Sequence, residues 1–244
     1  MKKLLVLFLV VSSTITFSQE SVLLRLNYKK GEVYTGKMSM NQDMGSIMSM
    51  AMNVDLNMDI TEVSGDNFTS QMKFTKLTMN MLQGGVSMSF DSSKSADELD
   101  ETGKMMKAQM DPMLKATIVL EGNNLGEVNN VSVTPSVPGV EDMAKQYSSV
   151  VYPKEAVKVG ETWTMSQEQK GMKMDYTYTV KSISKDIVVL DVSGDVSGMG
   201  AGKITGEMTI DVKSGVPTKS KIDMKMSVQG QEMLTTVSMS FTKS

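Results

Sequence analysis

From Met48 to Ile60 the chain alternates without a break. Met, Val, Leu or Ile fills every even position, and Ser, Ala, Asn or Asp fills every odd one. A period of two sends the first set to one face of a β-strand and the second set to the other. The same grammar returns at Met172, Met174, Tyr176, Tyr178 and Val180, and again at Ile222, Met224, Met226 and Val228. It predicts strands near 22–28, 32–42, 47–62, 67–82, 85–91, 115–121 and 126–133, then near 161–169, 171–183, 186–197, 202–213, 217–229 and 232–242. Turn chemistry separates them, with Gly84-Gly85, the Gly122–Gly126 segment, Gly215 and Gly230 at the joints. Strands spaced this closely pair only as antiparallel neighbours, because a parallel pair needs a long crossover.

Two features depart from the alternation. Met72 and Phe74 lie on one parity and Leu77, Met79 and Met81 on the other. One inserted residue near the step from Lys76 to Leu77, a β-bulge, accounts for the switch. Between Ala96 and Met113 the apolar positions Leu99, Met106, Met110 and Met113 take a helical spacing. Acidic residues lie early in this stretch, lysines follow, and Pro112 bounds its core. A helix is therefore expected near 96–111, and a second short one over Val140 to Tyr147.

An imperfect repeat links the two ends. Gly31-Glu32-Val-Tyr34-Thr35 near the start matches Gly160-Glu161-Thr-Trp163-Thr164 later. Glu32 and Glu161 recur beside an aromatic, which suits a structural role in hydrogen-bonding a turn. The expected fold is mainly β: a curved or partly closed antiparallel sheet, or sheets, with one or two short helices and two related halves. Its expected organisation is a signal peptide over 1–18, an N-terminal β half over 19–134, a connector over 135–151 and a C-terminal β half over 152–244.

The signal peptide follows from Lys2 and Lys3, the apolar run Leu4 to Val11, and small residues before a cut between Ser18 and Gln19. It implies a secreted or periplasmic protein and not an integral membrane one. Removing 1–18 leaves 23 Lys plus Arg against 28 Asp plus Glu, so there is no basic footprint for nucleic acid. The chain has no Cys and no His, which excludes disulfides, ordinary zinc sites, Ser-His-Asp triads and thiol chemistry. No cofactor is expected, and no pair of carboxylates is set apart by context as catalytic. Asn53, Asp55, Asn57 and Asp59 read as a solvated sheet face and not as a calcium loop. The glycine-rich stretch 191–202 lacks the lysine of a phosphate cradle.

What remains is methionine, present 26 times. Its flexible thioether fills irregular gaps, so the first reading is core. The second is a lining for lipid or another apolar ligand. Met50, Met52, Met58, Leu99, Met106, Met110, Met172, Met174, Met224 and Met226 are the candidates, with 96–113 as a lid. The third, more remote, is Cu(I) held by Met38, Met40 and Met44, since thioethers suit soft metals.

The segments Lys30–Tyr34, Gly126–Val131 and Tyr152–Trp163 resemble an uncharacterised family of secreted proteins common in Bacteroidota. That resemblance implies export and brings no known activity. In architecture alone the chain is similar to periplasmic lipoprotein carriers and related lipid-binding proteins, which implies a sheet that holds an apolar ligand. The expected function is thus an exported, non-catalytic protein binding lipid or another hydrophobic ligand in the cell envelope. A structural or adhesion-like module that contacts other envelope proteins is the alternative.

Overall fold

The computed structural model describes residues 20–141, 144, 150–169, 171–228 and 230–244. The expected export signal falls outside them, as does most of the short helix expected over Val140 to Tyr147. The strands are β1 (Ser21–Val22), β2 (Val33–Asp43), β3 (Met48–Ser64), β4 (Asn67–Gln83), β5 (Val86–Asp91), β6 (Thr117–Asn123) and β7 (Val128–Thr134). They continue as β8 (Val157–Lys158), β9 (Thr162–Gln169), β10 (Met172–Ile183), β11 (Ile187–Gly198), β12 (Ala201–Asp211), β13 (Pro217–Val228) and β14 (Gln231–Lys243). An α-helix, α1 (Glu101–Lys115), follows a 3-10 turn at Ala96–Glu98, and Val140, Glu141 and Ala144 are helical as well.

Twelve strands form one antiparallel sheet in the order β7-β6-β4-β3-β2-β14-β13-β12-β11-β10-β9, with β5 also on β4, while β1 and β8 make a separate two-stranded sheet. This overturns the expected curved or partly closed sheet. The ladder is an open path whose ends, β7 and β9, do not pair with each other. Pairing of β14 with β2, from Leu234 with Asp43 to Lys243 with Tyr34, joins both parts of the chain into one sheet. Closure is not needed to protect the edges. The end strands are short, at 7 and 8 residues, and the 17-residue β4 has its outer edge shared between β5 and β6.

The switch of parity in β4 is a bulge. Asp55 pairs with Lys76 and Leu56 with Phe74, which leaves Thr75 as the extra residue. Both Phe74 and Leu77 are buried as a result. Gly84 and Gly85 both take positive φ, 57° and 82°, as a two-residue hairpin of this twist requires. The stretch expected as a strand over 22–28 pairs only at Ser21–Val22. Beyond Val22 it runs as a strap over one end of the sheet.

Pro112 lies inside α1, not at its boundary. Proline there brings no N–H for the Ala108 carbonyl and its ring crowds that group, a local cost offset by the packing of the helix on the core. Asp100 caps the N-terminus, its side chain accepting from the Gly103 amide at 2.7 Å. Met106 is buried, and Leu99, Met110, Met113 and Leu114 pack half-buried on the core, with α1 lying against β4 and β5.

The matched glycines build the same turn twice. Gly31 (φ 87°) donates to the Ile60 carbonyl and Gly160 (φ 86°) to the Val180 carbonyl. A carboxylate oxygen of Glu32 accepts from the Lys29 amide at 3.1 Å, and one of Glu161 from the Lys158 amide at 3.0 Å. Both glutamates therefore close a turn.

Candidate apolar site on the inner face

One face of the large sheet is polar. Lys181 bridges Asp191 and Glu207 across three strands, at 3.1 and 2.7 Å. These side chains are about half exposed, so each pair stabilises the sheet by at most about 1 kcal/mol. A concavity of about 510 Å³ on this side is lined by Lys37, Asp55, Glu207, Lys219, Lys221 and small polar residues, together with Met38 and Met239. Charges of both signs meet there, solvated and without a convergent arrangement.

The other face carries mostly apolar rows, one of them interrupted by Gln42 and Thr235. Register pairs Phe90, Met79, Met52 and Met40 with one another in turn, then Val237, Ile222, Gly206, Val192, Tyr178 and Trp163. Two residues along, the next row runs Met88, Met81, Met50, Gln42, Thr235, Met224, Ile204, Gly194, Tyr176 and Met165. Most methionines in these rows are half-buried. The inner face here is thus a soft apolar floor, neither sealed nor fully exposed.

Toward the strapped end the floor deepens into a cavity of about 120 Å³. Leu26 and Tyr28 come from the strap, Met58, Phe68, Ser70 and Met72 from β3 and β4, and Leu120 from β6. Met208, Ser220, Met239 and Phe241 close it from β12, β13 and β14, with Val216 and Pro217 beside them. The Tyr28 ring meets Phe68 edge-on at 4.8 Å and Tyr34 at 5.5 Å. The strap is tied down by polar contacts outside the cavity. Leu26 donates to the Asn124 carbonyl at 2.8 Å and Asn27 to that of Ser214 at 2.7 Å. The Arg25 guanidinium donates to the carbonyls of Leu24, Pro153 and Lys154.

Behind the aromatics stands Glu32. It accepts from the Tyr34 hydroxyl at 2.9 Å and pairs with Lys243 at 2.6 Å. Burial pushes its carboxyl up, but Lys243, the Lys29 amide and Tyr34 together hold it below the ordinary carboxylate value. Burial raises the Tyr28 hydroxyl well above its usual range, and the Glu32 charge adds to this.

The sequence candidates fall in five places. Met58 lines the cavity. Met50, Met52 and Met224 belong to the rows. Met174 and Met226 are buried with Val196 and Ile204 in a separate cluster, Met224 packing against it, and Met172 is half-buried opposite Gly198. Leu99, Met106 and Met110 lie on α1 or just before it, and none of them lines the cavity. The strap, not the helix, covers the cavity. For the metal candidates, Met38 and Met40 are on β2 and Met44 is in the turn beyond it. Among the described residues no three acidic side chains gather to hold a metal ion. Ser70 escaped the sequence reading, although a serine between Phe68 and Met72 in an apolar register was its signal.

Fold and face together define an open antiparallel sheet with a half-covered apolar inner surface. A family model described as a family of unknown function (DUF6263) matches residues 139–242. No curated protein matches the chain. A solved structure described as lipid-protein interactions in lipovitellin is similar, with a TM-score of 0.53 at 8% identity over 89% of this chain. The match covers 25% of that protein, so the chain spans about a quarter of its length. At such identity the likeness is one of fold. No helix among the described residues is long and apolar enough to cross a membrane.

Proposed function

We propose that this protein holds a lipid or other apolar ligand against its inner face in the cell envelope and performs no chemistry on it. The observation that carries the reading is the pair of methionine-rich rows crossing the sheet and leading to an apolar cavity. Flexible thioethers accept irregular hydrophobes without close shape selection. The cavity is smaller than the roughly 300–1,000 Å³ of a drug-sized pocket. It suits the end of a chain, with the remainder lying along the rows. Similarity of fold to lipovitellin points the same way. Export follows from the sequence of residues 1–18, and N-terminal sequencing of exported protein is expected to begin at Gln19.

Native mass spectrometry of the full chain, purified without detergent, is expected to show adducts of lipid mass that organic extraction removes. A protein that arrives empty and stays empty when titrated with phospholipid vesicles rejects the reading. A second reading takes the ladder ends β7 and β9, short as they are, as the place where another envelope protein adds a strand. Concentration-dependent association that proline substitutions on β9 abolish, with no lipid bound, would select it.

A further inference from the structure

Ser70 is fully buried, and its hydroxyl oxygen has no hydrogen-bond partner among the described residues. It stands on β4 between Ile60 of β3 and Leu120 of β6, and the next residue in that row is Val131. Its neighbours in the row are apolar, and the strand alternation puts it on the same face as Phe68 and Met72, which line with it the cavity covered by Tyr28. A buried hydroxyl left unbonded opposes folding, and a partner brought by a ligand offsets that cost.

We infer that this cavity takes the neutral polar end of an apolar chain, a hydroxyl or an ester carbonyl, hydrogen-bonded to Ser70 Oγ. This rests on the proposed apolar-ligand role and adds which end of the ligand enters and which head groups are admitted. A serine hydroxyl both donates and accepts, so either group satisfies it. The wall decides the charge. Besides Ser70, only Tyr28 and Ser220 bring hydroxyls, and no Lys, Arg, Asp or Glu lines the cavity. A carboxylate would shed its hydration there with no cation to meet it. Size sets the scale: an engineered apolar cavity of about 150 Å³ holds one benzene, so about 120 Å³ takes a group of similar carbon count.

The test uses the full chain with hexane, 1-hexanol and hexanoate, at neutral pH. Headspace partitioning reads the first two and equilibrium dialysis the third. For the wild type, 1-hexanol is expected to bind about 5- to 10-fold more tightly than hexane after correction for transfer from water, the range of one net hydrogen bond. Ser70→Ala should abolish that ratio while leaving hexane binding unchanged. Its unfolding temperature should be no lower than that of the wild type, which shows that the fold survives. Hexanoate should bind at least about tenfold more weakly than 1-hexanol. An unchanged ratio in Ser70→Ala, or hexanoate binding as well as 1-hexanol, overturns the assignment. Hexane binding by itself reports on the apolar-ligand role, so the two ideas fail separately.

Discussion

Gly215 lies directly beneath the backbone carbonyl of Arg25, so close that a Cβ on the glycine would overlap the carbonyl oxygen. The same glycine has φ of 68° and accepts the Tyr152 hydroxyl at 2.7 Å. Strap, connector and the β12–β13 turn meet at this one residue. Gly215→Ala should therefore combine left-handed strain with displacement of the strap, destabilising the protein by about 3 kcal/mol or more. Gly65, at φ 58° with open space around its Cβ position, is the control, and its alanine variant should lose only about 1 kcal/mol. Denaturant unfolding of the two variants measures the difference. Equal losses would mean that the strap does not bear on Gly215.

Glu32 supplies a pH dependence. Its folded carboxyl titrates below the ordinary 4.5, because the bonds from Lys243, Lys29 and Tyr34 outweigh burial. The unfolded chain thus takes up this proton first as pH falls. The stabilisation is complete above 4.5 and disappears as pH falls through the lower folded value. Glu32→Gln should lower stability at neutral pH by about 1–3 kcal/mol and flatten the acid limb of the stability curve. Glu161 accepts from the equivalent turn amide but is exposed, and Trp163, in the place of Tyr34, donates instead to the Val151 carbonyl. Glu161→Gln should cost less stability at neutral pH than Glu32→Gln, because among the described residues its exposed carboxylate has no bond like those from Lys243 and Tyr34 to lose. Unfolding curves collected between pH 2 and 7 check both variants.

The strands of the large sheet were legible because alternation is a local property that each strand carries by itself. Met48 to Ile60 announces β3, and Gly84-Gly85 announces its hairpin. The bulge was legible too, since Phe74 and Leu77 cannot face one core without an extra residue, although the sequence does not say which residue that is. The openness of the sheet was not legible. It depends on β2 choosing β14 as a neighbour while β7 and β9 stay apart, and alternating strands far apart in the chain carry no mark of either choice. The cavity shares this difficulty. Leu26, Ser70, Leu120 and Phe241 meet only after the strap has crossed the sheet end, and Ser70 by itself looks like a lapse in a pattern. Methionine misled in one respect: the helical stripe of Leu99, Met106 and Met110 is a packing surface against β4 and β5, while the cover over the cavity is an unpaired segment with no periodicity.

Methionine oxidation should follow burial. Met199 and Met105, with 70% and 62% of their surface exposed, should react with mild peroxide first. Met38, Met58, Met106, Met174 and Met226, all at 8% or less, should react last. The half-buried methionines of the rows should fall between, and a bound apolar ligand should slow Met50, Met52 and Met224 in particular. Once the buried set is oxidised the melting temperature should drop sharply, because a sulfoxide makes an apolar side chain polar. Peptide mapping against time reads the order. Simultaneous oxidation of Met58 and Met199 in the folded protein would contradict the burial described for the inner face.

Deleting Thr75 tests what aligns the centre of the sheet. Thr75 itself is exposed and is the unpaired residue between Phe74 and Lys76. Without it β4 must either keep Phe74 inward and turn Leu77, Met79 and Met81 to the polar face, or do the reverse with Met72 and Phe74, since a one-residue slip flips every side chain beyond it. Leu77 is 1% exposed and Phe74 7%, so each option expels a core residue. Expelling one large side chain costs about 2–5 kcal/mol. Thr75→Ala keeps the residue count and should change stability by well under about 1 kcal/mol, as exposed substitutions do. The deletion should therefore unfold at far lower denaturant than Thr75→Ala. If the two variants unfold alike, β4 reaches both register segments without its bulge, and the row joining Met79, Met52 and Met40 must be held by some other feature of β3.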